Sequence, residues 1–297
     1  MPQTLIQNVS DTAFWIAHCR AVETERSDAL FRDPLAGLLA GERGKAIADT
    51  MPRPFITSWT VAIRTRIIDD FIRSALDDGV DAILNLGAGL DTRPYRMEVP
   101  ESLLWVEADY PHVMEWKEER LVNEKPRCRL ERVKIDLANL DERRTLLGGI
   151  DRRAKMLLVL TEGVVPYLSV EDAGLLADDL RRLDHARCWI VDYFSPALMK
   201  YRERHGMTRM MQNAPFKFIP DNWSGFFGRH GWRCREIRYL AEEATRLHRA
   251  IRFPPLVRIM VTIRALLASR KRRAAFRKFA GYAVLEPTTV TPESSAY

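Results

Sequence analysis

The sequence predicts an α/β protein in which a parallel sheet carries helices on both faces. Two observations lead there. Short apolar runs alternate with helix-patterned segments from residue 80 to residue 193, the signature of strand–helix–strand units. The first of those runs also ends directly in a paired-glycine turn, GAGLD at 87–91, where such sheets leave room for ligands. With 297 residues, 46% of them hydrophobic, the chain can bury a full core.

Three helices are expected first. Ser10 or Asp11 can cap the run TAFWIAHCRAVETE. A short helix is expected at Pro34–Leu39, with Asp33 before a proline in the first turn. The third spans Thr60–Leu76, with Val61, Ile67, Ile68, Phe71, Ile72 and Leu76 along one face. Strands follow at Ala82–Leu86, Leu103–Glu107, Arg132–Ile135, Met156–Thr161 and Cys188–Tyr193, with helices at Pro111–Asn123, Leu140–Leu147 and Val170–Leu183. Trp232–Tyr239 and Phe279–Leu285 read as two more strands around a long insertion, and the last ten residues are polar.

Composition removes several function classes. Cys19, Cys128, Cys188 and Cys234 form no CxxC pair and stand near no histidine cluster, against zinc and against a disulfide framework. No metal is expected, and a reducing cytoplasm is. The first residues lack the basic and apolar regions of a signal peptide. The longest apolar stretch, Leu256–Ala268, carries Arg258 and Arg264, which disfavours insertion. Residues 256–278 hold eight basic residues and no acid, more than the chain's whole net charge of +6. Basicity is therefore local, and no nucleic acid is expected as partner.

The strand ends carry the chemistry. Gly87 and Gly89 permit a sharp turn that a ligand can approach without an intervening side chain. Asp109, twenty residues past Gly89, is placed to accept both hydroxyls of a ribose. These features suit NAD and S-adenosylmethionine alike. A dinucleotide turn wants a third glycine where this chain has Thr92, with Asp91 before it. An aspartate there opposes a diphosphate and tolerates a sulfonium. Asp136 follows the third strand, placed to accept from an adenine amine, and Glu162 follows the fourth. Four carboxylates around one cleft favour a cationic ligand.

RTRIIDDFI, NLGAGLDTRPYR, VEADYP, KIDL and TEGVVPYLS, in this order and spacing, resemble the leucine carboxyl methyltransferase family. RAVETERSDALFRDPLAG is similar to its bacterial branch of polyketide-type O-methyltransferases. The resemblance covers roughly residues 10–240. It implies a Rossmann-like class I methyltransferase fold: a seven-stranded, mostly parallel sheet, its last strand antiparallel, under an N-terminal helical cap. One domain over 1–297 would comprise a cap at 1–76, a core at 77–290 with a basic helical insertion at 254–278, and a tail at 291–297. The resemblance also implies S-adenosyl-L-methionine as methyl donor. Arg64, rather than Arg66 of the same motif, would grip the methionine carboxylate, and Gly87 would contact the amino-acid end. Asp109 would take the ribose hydroxyls, Asp136 and Leu137 would flank the adenine, and Glu162 would line the methionine part.

The expected activity is O-methylation of a small-molecule carboxyl or hydroxyl, plausible in secondary metabolism. The alternatives are a protein C-terminal carboxyl methyltransferase and a non-catalytic S-adenosylmethionine-binding module. A carboxylate acceptor needs no general base, whereas an alcohol or phenol benefits from one. Tyr167 and Tyr193, at or just past strand ends, are candidates for acceptor contact or rim packing. FKFIPDNWSGFF (216–227) either lines an acceptor pocket or faces the core. Trp15 and Cys19 of the first helix are candidate lid residues. The stretch 256–278, apolar then basic, suits either a packed helix with a solvated end or an anionic membrane surface.

Overall fold

The structure is a computed structural model that describes residues 5–198, 212–251, 269, 274–275 and 277–288. Three helices lead: α1 (Asp11–Thr24), α2 (Ala36–Thr50) and α3 (Pro54–Asp77). Alternation follows through β1 (Ala82–Leu86), α4 (Arg93–Arg96), β2 (Leu104–Asp109), α5 (Pro111–Arg120) and β3 (Arg129–Lys134). It continues with α6 (Leu140–Asp151), β4 (Leu157–Thr161), the 3-10 turn Val165–Tyr167, α7 (Val170–Arg181) and β5 (Ala186–Phe194). The later part holds α8 (Trp223–Arg229), β6 (Trp232–Tyr239), α9 (Leu240–Arg246) and β7 (Ala280–Pro287).

The seven strands form one sheet in the order β3-β2-β1-β4-β5-β7-β6. β7 runs antiparallel to both neighbours, Asp192 opposite Tyr282 on one side and Arg238 opposite Tyr282 on the other. The remaining pairs are parallel. β1 and β4 are buried at every residue, as strands covered on both faces must be. One face packs on α6, α7 and α8 through Leu147, Leu176, Leu180, Trp223 and Phe227. The other packs on α3 through Ile63, Ile67, Phe71 and Ile72.

Several limits differ from the sequence expectation. β3 starts three residues early because an edge strand is solvated on one side and reads polar: RLERVK has no buried residue. α2 begins at Ala36 and runs on to Thr50, crossing a kink where Gly41 takes φ 53°. α3 begins at Pro54, whose fixed φ suits a first turn. α6 continues through Gly148 and Gly149 to Asp151.

The N-terminal helices are tied to the glycine turn. Arg20 of α1 donates to the Leu90 carbonyl at 2.5 Å and pairs with Asp33 at 2.8 Å. Trp15 and Cys19 are buried among Phe14, Leu39 and Met114, so both are core residues between α1 and its neighbours. No described helix is long and apolar enough to cross a membrane. Most of the stretch 254–278, and with it the expected membrane contact, lies outside the described residues. At its end Lys278 sits over the Tyr239 ring, 5.6 Å from the centroid.

Candidate active site

Sheet order fixes the site. Because β3, β2, β1 and β4 are neighbours, their carboxyl ends bring Asp136, Asp109, Gly87 and Glu162 into one row. Three strand spacings make that row roughly 14 Å long.

At its centre the chain leaves β1 through Gly87 (φ 65°) and Gly89 (φ 50°), conformations that glycine adopts freely. The Gly87 and Ala88 amides donate to the Ala108 carbonyl at 2.8 and 3.2 Å. A Cβ on Gly87 would lie 2.4 Å from Cγ2 of Val164, so the turn is also closely packed. Asp109 accepts from the Gly89 amide at 2.7 Å and from its own Tyr110 amide at 2.7 Å. Burial pushes its carboxyl up against the pull of those two donors. The half-exposed Tyr110 ring reaches across to hydrogen-bond Asp136. Asp136 itself is exposed and accepts the Ala138 amide at 2.9 Å, while Leu137 is half-buried against the core.

The other end is built on a residue the sequence reading did not single out. Arg93 is buried to 2% exposure and holds three carboxylates: Asp69 at 2.7 Å, Asp91 at 2.8 Å and Glu162 at 2.8 Å. Arg96 adds a bidentate grip on Asp69 at 2.7 and 2.8 Å. Arg64 bonds the second oxygen of Glu162 at 2.9 Å. Its Nε is buried with no partner among the described residues. Arg66 of the same motif turns away to Asp70 at 2.9 Å and to the Leu30 carbonyl.

This geometry corrects the electrostatic expectation. Asp91 and Glu162 are not free carboxylates awaiting a cation. Burial would raise Asp91, but Arg93, with Lys117 and Arg20, outweighs it and holds the group well below the ordinary range. Burial likewise opposes ionisation of Glu162, and Arg93 and Arg64 keep it ionised. Asp91 also accepts the Arg93 amide at 3.0 Å and the Asn85 side chain at 3.0 Å. Through these bonds it seats Arg93 and closes the turn.

Asp192, likewise not singled out from sequence, stands near the end of β5 within electrostatic reach of Arg64 and is 3% exposed. It accepts the Gly163 amide at 2.8 Å and the Tyr282 hydroxyl. Burial lifts its carboxyl to about 6, against the Gly163 amide and the nearby Arg64.

The two tyrosines part company. Tyr167, five residues beyond Glu162, packs edge-on against Phe216 at 5.0 Å, and Phe216 stacks on Phe194 at 5.3 Å. Tyr193 points to the sheet face opposite Asp192, since successive strand residues alternate; its neighbours are Trp223 and Tyr239. Within 216–227, Phe218, Trp223, Phe226 and Phe227 belong to the core, and only Phe216 joins the Tyr167 wall.

Comparison with known proteins agrees with this architecture. The family model of leucine carboxyl methyltransferase matches residues 13–180. A Parafrankia sp. (strain EAN1pec) protein is 32% identical over 249 residues, covering 77% of this chain and 78% of its own. One from Streptomyces avermitilis is 29% identical over 257 residues, covering 82% and 89%. Both are named "Putative S-adenosyl-L-methionine-dependent methyltransferase". A solved Thermobifida fusca YX structure, described as a "putative methyltransferase", superposes with a TM-score of 0.54 at 13% identity. That superposition spans 92% of this chain and 94% of the other and speaks for the fold alone. The row of strand ends, the seven-stranded order and the matched segment together place the chain in the leucine carboxyl methyltransferase family, as an S-adenosylmethionine-dependent methyltransferase.

Proposed function

We propose that the chain methylates a carboxyl or hydroxyl oxygen of a small molecule, in secondary metabolism. The observation that supports this is the Tyr167 wall. A half-buried phenol, backed by Phe216 and Phe194, stands five residues from Glu162. Such a surface suits a compact acceptor with an aromatic or apolar body. A second reading, methylation of a protein's C-terminal carboxyl, draws on the description of the matched family.

In this proposal Arg64 and Glu162 hold the amino-acid end of the donor, and the Gly87–Gly89 backbone lies along it. Asp109 takes the ribose hydroxyls, and Asp136 and Leu137 flank the adenine. The unpartnered Nε of Arg64 fits a carboxylate, and the raised, buried carboxyl of Asp109 fits a hydroxyl donor. The donor supplies a methyl group already activated on sulfur. The chain's work is to align an oxygen with it and exclude water. α1 contributes to that exclusion: a Cβ on Gly89 would lie 3.3 Å from Ala13.

The test is methyl transfer from labelled donor to a panel of small carboxylic acids, phenols and alcohols, alongside peptides with free C-termini. Transfer to a small acceptor is expected, with Tyr167→Ala raising its KM about tenfold and leaving the donor Kd unchanged. Transfer confined to peptide C-termini would replace this proposal with the second reading.

A further inference from the structure

We propose that Asp192 lets the protein prefer its cationic methyl donor over the neutral product left after transfer. The inference rests on the assignment of the Arg64–Glu162 end of the row to the donor's amino-acid part.

The argument begins with charge pairing. Arg64 bonds Glu162, Arg93 bonds Asp91, and Arg96 bonds Asp69 in a bidentate pair. Each of these buried cations thus has an anion. Asp192 is bonded instead to two neutral dipoles, the Gly163 amide and the Tyr282 hydroxyl. The groups that face it are Arg64 of α3, Glu162 and Gly163 after β4, and Tyr282 of β7. It therefore holds negative charge that the neighbouring pairs do not cancel. A buried charge of this kind acts over distance, because little solvent screens it.

Donor and product differ at one atom. The donor's sulfonium makes it one positive charge richer than the thioether product, with the amino acid and nucleoside unchanged. A site with balanced charges would hold both alike at that atom. Ionised Asp192 favours the first, and relaxes that hold once the methyl group has left. Its carboxyl, lifted to about 6 by burial, is partly protonated in mildly acid solution. β5 lies beside β4 with Val191 opposite Thr161, so Asp192 follows Glu162 in the row of strand ends. A cation bound along that row should draw its titration down and expel a proton to the buffer. A drop of one unit corresponds to about tenfold in affinity.

The experiment is calorimetric titration at pH 6 with S-adenosylmethionine and with S-adenosylhomocysteine, each in two buffers of different ionisation enthalpy. Wild-type protein is expected to release a fraction of a proton with the first ligand and close to none with the second. Asp192→Asn is expected to abolish that release and cut the preference for donor over product about fivefold at this pH, with product affinity within twofold of wild type. Tyr282→Phe, which keeps the ring and removes one hydrogen bond to Asp192, should move the pH of greatest release upward. Equal proton release with both ligands, or an unchanged preference in Asp192→Asn, overturns the proposal. Should Asp192→Asn fail to fold, the wild-type and Tyr282→Phe titrations still decide. If wild type binds neither ligand, the donor assignment fails rather than the role of Asp192.

Discussion

Arg93 shows how one buried side chain can hold three carboxylates of a site together. Its guanidinium joins α3, the glycine turn and the end of β4 through Asp69, Asp91 and Glu162. Removing one member of a buried ionic network strands its partners. Arg93→Met should therefore lose about 3–5 kcal/mol in denaturant unfolding, and Arg93→Lys should recover only part, because an ammonium cannot reproduce the planar fork. Asp192 predicts an effect of opposite sign. Its folded-state carboxyl titrates at about 6 against an ordinary 3.8. A raised acid contributes fully below pH 4, and that contribution is lost as pH rises through 6. Asp192→Asn should thus be more stable than wild type at pH 8, by about 3 kcal/mol. The gap should close near pH 4 in paired thermal melts. Keeping so costly a carboxylate accords with a functional demand on it. Asp91, Asp109 and Glu162 could be named from sequence because each stands in or beside a turn at a strand end, whereas Arg64, inside α3, was implied by the family resemblance alone. Arg93 lay inside the same motif, but its role depends on Asp69 and Glu162, 24 and 69 residues away. The signal for Asp192 was present: a lone acid within the apolar run WIVDYF.

At the scale of elements, the covered strand β1 matches its expected limits, while the two edge strands differ. β6 matches its expected limits too, whereas β3 starts three residues early because its charged pattern gives no apolar period. α2 passes its expected end at Leu39 because Gly41 bends the helix without ending it. The glycine turn makes a sharper claim. Gly87→Ala imposes a left-handed backbone on an L-residue, costing about 1–2 kcal/mol, and thrusts a methyl group at Val164. The variant should melt lower and bind donor more weakly. Adding Val164→Ala should restore the packing share of the loss and leave the backbone share. Full recovery in the double variant would mean that φ at this position carries no strain.

At the scale of the whole molecule, the sheet supplies a row of strand ends and the N-terminal helices cover its centre. Arg20 fastens the two by gripping both Asp33 and the Leu90 carbonyl. Sequence alternation was enough for the parallel sheet, and family resemblance supplied the antiparallel last strand, which no local pattern marks. The buried ionic network escaped because it is assembled across α3, the turn and the end of β4. The central claim is that this row of strand ends holds one extended donor, with Asp109 at its ribose. It is tested most directly by calorimetric titration of wild type and Asp109→Ala with S-adenosylmethionine, S-adenosylhomocysteine and NAD. The account predicts one-to-one binding of the first two by wild type, no binding of NAD, and at least a hundredfold loss in Asp109→Ala with the fold intact. Binding of NAD alone, or undiminished donor affinity in Asp109→Ala, would contradict it.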